Sequence, residues 1–386
     1  MNGRLAKRMS LVLLGWIAAC TAPSAGISQR APVAESAVAQ PQPAPAAPVA
    51  APSPATPPNP GQPVSYPSAE AGFRAFLTSI RGQALERGVR PATLDMILPG
   101  LSFNERVVAL DRNQPDDSSP GQPPSMAGYL ARRLDDARIS GGRDRYARMQ
   151  PRLMAFESRF GVPGPILLGI WGMETNYGGY TGNFDVLQSL ATLAYDGRRR
   201  SLFTNELIAA LEIVDRGLAP RSALTGSWAG AMGNPQFLPS SYLKTAVDGD
   251  GDSRADIWNS EADSLASIAN YLVKAGWKRG EPWGLEVGVP ATMDRRAIAG
   301  TAVSPTCPRV HARHSRWMTV AEWKALGLTA VGKGWPADHL RATLIEADGP
   351  GGRAFLTFDN YRALLDYNCS NYYAISVGLL ADAISR

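Results

Sequence analysis

The chain has 386 residues, 45% of them hydrophobic and 19% charged, with 39 Lys and Arg against 34 Asp and Glu, a formal charge of +5. That excess is too mild to argue for nucleic-acid binding, and no basic tract is interleaved with aromatics in a recognised pattern. Three cysteines and three histidines give no C-x-x-C or Cys/His spacing, so no zinc site is expected.

The first 19 residues read as a targeting signal. Arg4, Lys7 and Arg8 form a basic start, and Leu11 to Ala19 is an apolar run too short to span a bilayer as a helix. Ile17-Ala18-Ala19-Cys20 has the form of a bacterial lipobox, with Cys20 the lipid-bearing first residue of the mature chain; an ordinary signal with an incidental Cys is the alternative. Thr21 follows in place of an aspartate, which favours the outer membrane of a Gram-negative cell. Loss of residues 1–19 leaves a net charge of +2. Residues 20–66 are rich in Ala, Pro, Ser and Gln and cannot bury enough surface to fold. As an extended tether they reach on the order of 140 Å, at about 3.1 Å per residue.

From 67 onward about 320 residues remain, enough for a large core or several subdomains. Residues 67–160 read as helices. Phe73, Phe76, Leu77 and Ile80 recur at helical spacing, as do Tyr146, Met149, Leu153, Phe156 and Phe160, with Pro151 expected to kink or start a helix. A buried helix follows within 161–282. Val162-Pro163-Gly164-Pro165 starts it, Gly178-Gly179 is expected to stop it, and nearly every side chain between is apolar. Glu174 is the exception. Burial and the negative end of a helix both favour its protonated form, the form that can supply a proton to a glycosidic oxygen. A solvated or paired Glu at a helix end is the plainer reading, and this segment alone does not remove it. Asp185 and Asp196 read as helix caps and turns, and Arg198-Arg199-Arg200 as a solvated turn. The segment Gly226 to Ser241 is rich in small residues that let backbone approach a ligand. Ser227 and Gln236 offer hydrogen bonds and Phe237 a flat apolar face, a mixture that suits a sugar; a tight turn between packed helices is the alternative.

Asp248, Asp250, Asp252 and Asp256 occupy positions 1, 3, 5 and 9 of an EF-hand order, with Arg254 at the position that donates a main-chain carbonyl. Ser253 and Asn259 depart from the Gly and Glu expected at positions 6 and 12. The loop reads either as a weak structural Ca2+ site or as a solvated acidic turn. Residues 283–360 change texture. Leu285 to Val289 alternates like a strand, and the segments 341–347 and 353–358 flank Asp348-Gly349-Pro350-Gly351-Gly352 as a hairpin. Cys307 and Cys369 can pair in an oxidising compartment or stay as buried thiols. His311 and His314 read as surface residues. Residues 361–386 end in a helix over Asn371 to Ser385, with no further wall-binding domain expected after it.

Several of these segments together resemble the membrane-bound lytic murein transglycosylase B family. The pattern is Gly172-Met173-Glu174-Thr175-Asn176-Tyr177-Gly178, then Leu190-Ala191-Thr192-Leu193, then Gly226 to Tyr242, then Ser267 to Tyr271 and Gly276-Trp277, then Tyr367-Asn368 and Tyr373-Ala374. It covers about residues 70–386 in family order. The resemblance implies a mainly α (α+β) fold: a lysozyme-like helical core, an N-terminal helical subdomain and a small antiparallel β subdomain. It implies cleavage of the β-1,4 bond between N-acetylmuramic acid and N-acetylglucosamine in peptidoglycan, leaving 1,6-anhydromuramyl ends. Glu174 would act as acid and then base, assisted by the substrate's N-acetyl group, with no cofactor needed for the chemistry. It assigns Ser227 and Gln236 to the muramyl unit, and Tyr271, Tyr367, Asn368, Tyr373 and more weakly Tyr129 to the groove. Phe237 would stack on a sugar, and Arg198 and Arg199 would meet an anionic substrate group. Some members close a longer calcium loop with a later Asp, here Asp263. The expected partners are glycan strands, with a lipid anchor at the periplasmic face of the outer membrane, a monomeric state, and proteins of wall synthesis or division as further candidates. A hydrolysing muramidase and a non-catalytic wall-binding lipoprotein are the competing readings; the intact Glu174, Ser227 and Gln236 argue against the second.

Overall fold

The computed structural model describes residues 67–114, 125–300 and 307–386. The expected signal, the lipid-bearing Cys20 and the tether to residue 66 lie outside the described residues. In chain order, α1 (Pro67–Glu86), α2 (Pro91–Ile97), α3 (Glu105–Arg112), α4 (Met126–Arg133) and α5 (Asp136–Phe160) lead to α6 (Gly164–Thr175). Then come β1 (Phe184–Asp185), α7 (Val186–Asp196), α8 (Arg200–Asp215), β2 (Thr225–Gly226), α9 (Pro239–Thr245) and α10 (Glu261–Lys274). The last part holds β3 (Gly284–Gly288), α11 (Pro308–His311), β4 (Met318–Thr319), α12 (Val320–Ala325), β5 (Thr329–Ala330), β6 (Arg341–Glu346), β7 (Ala354–Thr357), α13 (Asp359–Tyr367) and α14 (Asn371–Ile384). The molecule is mainly helical with a small antiparallel sheet, as the sequence led one to expect.

The helix α6 is apolar on every face, and a helix of that kind has to be buried all round. It packs against α5, α10 and α14. Gly169 permits the contact with α14, since a Cβ there would come within 2.9 Å of the Val377 carbonyl oxygen. The expected stop at Gly178-Gly179 is too late. The helix ends at Thr175, and Asn176 (φ 50°) and Tyr177 (φ 59°) both take the left-handed conformation. Asparagine tolerates that region among non-glycine residues, which makes it the cap. Pro151 does not start a helix, because α5 runs through it.

The helices before residue 160 have no separate core. Phe73, Leu77, Leu94, Leu153 and Phe156 belong to the same buried cluster as α6, α7, α8, α10 and α14. The five-stranded sheet runs β4-β6-β7-β3-β5, antiparallel throughout, and β6 and β7 form the expected hairpin with Leu344 opposite Leu356. Successive strand residues point to opposite faces. Ile345 and Phe355 therefore enter the helical core, while Leu344, Ala354 and Leu356 face a second core with Val320, Trp323 and Phe358. This division of faces fastens the sheet to the helices.

Cys307 and Cys369 form a disulfide between the sheet region and the α13–α14 corner. His314 is not a surface residue. It is buried, with Nδ1 3.0 Å from Thr343 Oγ1 and Nε2 2.9 Å from Asn371 Oδ1. Burial and the neighbouring Arg362 guanidinium hold its pKa well below the usual histidine range. His311 is half-buried, its pKa pushed down to about 4 by the same two causes.

Candidate active site

Glu174 sits in the last turn of α6, partly open on one side and otherwise walled by buried residues. The Tyr373 hydroxyl, on the first turn of α14, donates to Glu174 Oε1 at 2.6 Å. Burial raises the Glu174 pKa to about 7, against the lowering effects of the Tyr373 hydrogen bond and the Arg133 charge. Tyr367 stacks parallel to Tyr373 with centroids 6.4 Å apart, and its hydroxyl donates to the Pro235 carbonyl at 2.6 Å. Tyr271 packs on Tyr367 at 4.8 Å and donates to the Asp366 carbonyl at 2.9 Å. Tyr129, from α4, lies against Tyr372 with the Arg133 guanidinium over its ring. Asn368 is buried in the extended connection between α13 and α14.

The segment 226–241 is brought to α6 by three devices. Pairing of β1 with β2 anchors its start, Phe184 opposite Gly226. The loop then folds back on itself: Ser227 N–H donates to the Ala231 carbonyl, and Met232 and Phe237 exchange backbone bonds. Asn234 joins it to the helix. Its Oδ1 accepts from Trp171 Nε1 at 3.0 Å, and its carbonyl accepts from Thr175 Oγ1 at 3.2 Å. Ser227 Oγ accepts from Ala231 N–H at 3.0 Å, which leaves the hydroxyl proton to donate outward. Gln236 is in the left-handed region (φ 51°), and its Nε2 donates to the carbonyls of Thr181 and Gly233 at 3.0 Å each. Its Oε1 is thereby oriented as an acceptor.

Two expectations for this region need correction. Phe237 is 2% exposed and packs among Tyr271 and Tyr367, so it forms the floor beneath the site and offers no open face for a sugar. Arg198 is exposed, as a solvated turn requires, but Arg199 is half-buried, and both are tied to Asp111 and are not free groove cations. Arg199 is ion-paired to the buried Asp111, and Arg198 donates to the Asp111 carbonyl at 2.6 Å. Asp185 does cap α7, accepting from Gln188 N–H at 3.0 Å.

Sequence reasoning missed three contributors. Arg133 is the charge that faces Glu174, yet basic residues at helix ends are common and nothing local marked it. Asn234 stood inside the motif as an unassigned position. Glu206, 5% exposed on α8, accepts from Ser240 N–H at 2.9 Å and Ser240 Oγ at 2.7 Å, and so caps α9 just after the Gln236 loop. An acid in an apolar helix face was the available signal for it.

Asp248, Asp250 and Asp252 bring one carboxylate oxygen each within 4.8 Å of one another. Asp248 also accepts backbone N–H bonds from Asp250, Gly251 and Ser253, which hold its pKa below the usual carboxylate range. Arg254 follows in the same exposed turn, its N–H bonded to Asp252. Asp263 stands outside the cluster of three. It is fully buried, and its two oxygens accept from Gly249 and Asp256 N–H at 2.8 and 2.7 Å, so it ties the loop to α10.

Comparison with known proteins gives a consistent result. The family model described as the transglycosylase SLT domain matches residues 72–382. The membrane-bound lytic murein transglycosylase B of Escherichia coli K12 is 32% identical over 228 residues, 58% of this chain and 58% of that protein. The match thus spans less than two thirds of that relative's length. Pseudomonas aeruginosa SltB3, solved in complex with NAG-NAM-pentapeptide, is 40% identical with a TM-score of 0.72, over 81% of this chain and 79% of the other. The Escherichia coli lytic transglycosylase Slt35, solved in complex with calcium, is 26% identical with a TM-score of 0.65, over 82% and 93%.

Proposed function

Because the chain belongs to the transglycosylase SLT-domain family, we propose that it is a peptidoglycan lytic transglycosylase whose acid and base are both Glu174. The observation that carries this is the environment of that one carboxyl. It is buried enough to titrate at about 7, and the groups that set its charge, Tyr373 and Arg133, include no second acid. A group that must give a proton and then take one back works best with a pKa near the operating pH.

In the reaction, protonated Glu174 gives its proton to the glycosidic oxygen as the bond from muramyl C1 breaks. The substrate's own N-acetyl group meets the charge developing at C1. The Glu174 carboxylate, steadied by the Tyr373 hydrogen bond and the Arg133 charge, then removes the proton from the muramyl C6 hydroxyl as that oxygen bonds to C1. The acid is regenerated, a 1,6-anhydro end forms, and no water is consumed. The solved SltB3 complexes with NAG-NAM-pentapeptide and NAG-anhNAM-pentapeptide support this substrate class. Ser227 and Gln236, with an outward donor and an oriented acceptor, hold the N-acetylmuramyl unit. Tyr129, Tyr271, Tyr367, Asn368 and Tyr373 shape the groove wall and floor.

The acidic loop fits a hard cation: three carboxylates converge, with oxygen donors only. Asp248, Asp250, Asp252 and the Arg254 carbonyl would hold Ca2+, and Asp263 would brace the loop. The ion's role is structural. The chain is anchored through Cys20 at the periplasmic face of the outer membrane. The lipobox supports this, as does the membrane-bound relative. No described helix is long and apolar enough to cross a membrane.

Mass analysis of products from isolated peptidoglycan tests the central reading. Anhydromuramyl ends, one water lighter than reducing ends, are expected from the wild type and absent with Glu174→Gln. Reducing ends would identify a hydrolase.

A further inference from the structure

The stretch Tyr367 to Tyr373 joins α13 to α14 and carries both Tyr373, hydrogen-bonded to Glu174, and Tyr367, stacked on it. The same stretch is gripped from the side of the sheet. Cys369 is cross-linked to Cys307. Asn371, two residues before Tyr373, is 6% exposed and is hydrogen-bonded to three residues. Its Nδ2 donates to the Val310 carbonyl at 3.1 Å, which makes Oδ1 the acceptor. That oxygen accepts from Tyr361 O–H at 2.9 Å, a proton it shares with the Asn371 carbonyl at 3.2 Å, and from His314 Nε2 at 2.9 Å. His314 must then carry its proton on Nε2. Its Nδ1 is free to accept from the Thr343 hydroxyl at 3.0 Å, beside the Arg362 guanidinium. Every member of this buried network has a partner, and such networks fix one geometry because a half-satisfied alternative is costly.

We propose that His314 and Asn371 are positioning residues for the reaction: with the Cys307–Cys369 disulfide they hold the α13–α14 corner so that the Tyr373 hydroxyl stays on Glu174 Oε1. This rests on Glu174 being the acid. The titratable groups around that carboxyl are Tyr129 and Arg133 of α4, Tyr367 at the end of α13 and Tyr373 of α14. Only the Tyr373 hydroxyl donates a hydrogen bond to it among the described residues. A donor to a carboxylate favours the ionised form. If the corner loosens and Tyr373 withdraws, Glu174 holds its proton to higher pH, and the alkaline limb of kcat/KM moves up. A network that only stabilises the fold would lower the melting temperature and leave that limb in place.

The test is the pH profile of kcat/KM for the wild type, Tyr373→Phe, Asn371→Ala, His314→Leu, His314→Gln and the double variant Asn371→Ala/Tyr373→Phe. Tyr373→Phe is expected to raise the limb by at least roughly half a pH unit, since it removes a hydrogen bond to a charged group. Asn371→Ala and His314→Leu move it the same way. His314→Gln, whose amide can donate from the position of Nε2, restores the wild-type limb. The double variant moves no further than Tyr373→Phe, because residues acting through one contact are not additive. Limbs at the wild-type position in Asn371→Ala and His314→Leu, or additive displacements in the double variant, would overturn the proposal. Where those variants fail to fold, wild-type enzyme with the disulfide reduced and alkylated replaces them while circular dichroism stays native; an unmoved limb there also overturns it. A limb that Tyr373→Phe itself leaves unmoved removes the premise, the assignment of Glu174 as the titrating acid.

Discussion

At Glu174, burial pushes the carboxyl up to about 7 while Tyr373 and Arg133 pull it down. Activity should therefore fall as pH rises through about 7, when the acid form is lost. The same shift has a cost in stability. The folded value lies above the ordinary 4.5, so the penalty on the ionised form is absent below that pH and grows until pH passes about 7. Glu174→Gln should lower activity at least about 100-fold, the lower end of general-acid contributions. It should also gain about 1–3 kcal/mol of stability at pH 8 and nothing at pH 4. Urea denaturation at both pH values checks this, and a gain of equal size at each would show that Glu174 is not strained by burial. Arg199 makes an opposite case. Its partner Asp111 is fully buried and Arg198 also stands 3.5 Å from that carboxylate, so it takes the double variant Arg198→Ala/Arg199→Ala to leave a charge without an ion pair. The expected outcome is a loss of about 3–5 kcal/mol in stability with the remaining folded enzyme near wild-type KM. A raised KM at unchanged stability would return these arginines to the groove.

At the level of elements, the acidic loop and the disulfide are independent staples. Chelation should lower the melting temperature and added calcium restore it, because a ligand that binds only the folded state stabilises it by mass action. Asp250→Ala should abolish that response and leave Glu174-dependent cleavage largely intact. A melting curve indifferent to millimolar calcium after full chelation would leave an acidic turn in its place. The disulfide closes a sequence separation of 62 residues. Its reduction should cost about 2–4 kcal/mol, measured by denaturation with and without reductant, whereas free thiols would titrate with a thiol reagent in the unreduced, unfolded protein.

Across the whole molecule, the sheet buries one face in the helical core and the other in its own, and the α13–α14 corner, part of the helical core, is tied to the sheet region through Cys307 and His314. A lipid at Cys20 and a tether of Ala and Pro would let this body work on a polymer beside a membrane. Cys20→Ser is expected to leave the enzyme in the soluble fraction and active on isolated wall. Pelleting with membranes at the wild-type level would count against the anchor.

Local order was legible in the chain because it depends on neighbours in sequence. Apolar runs and caps marked α6, the last helix and the β6–β7 hairpin, and the spacing of small residues marked the Ser227–Gln236 loop. Glu174 stood out because it was the lone acid in an apolar helix. Burial of single side chains was not legible, since it is decided by distant segments. Phe237 looked like an open ring until Tyr271 and Tyr367 covered it. His314 looked exposed until Asn371, 57 residues away, accepted its Nε2 proton. Arg199 looked free until Asp111, 88 residues earlier, paired with it. The Tyr373 bond to Glu174 spans 199 residues. The sequence by itself singled out one carboxyl, Glu174, as the candidate acid. Only the tertiary structure decided what surrounds that carboxyl, and hence the pH at which it can both give and take a proton, because desolvation and hydrogen bonding come from whichever residues the fold places there.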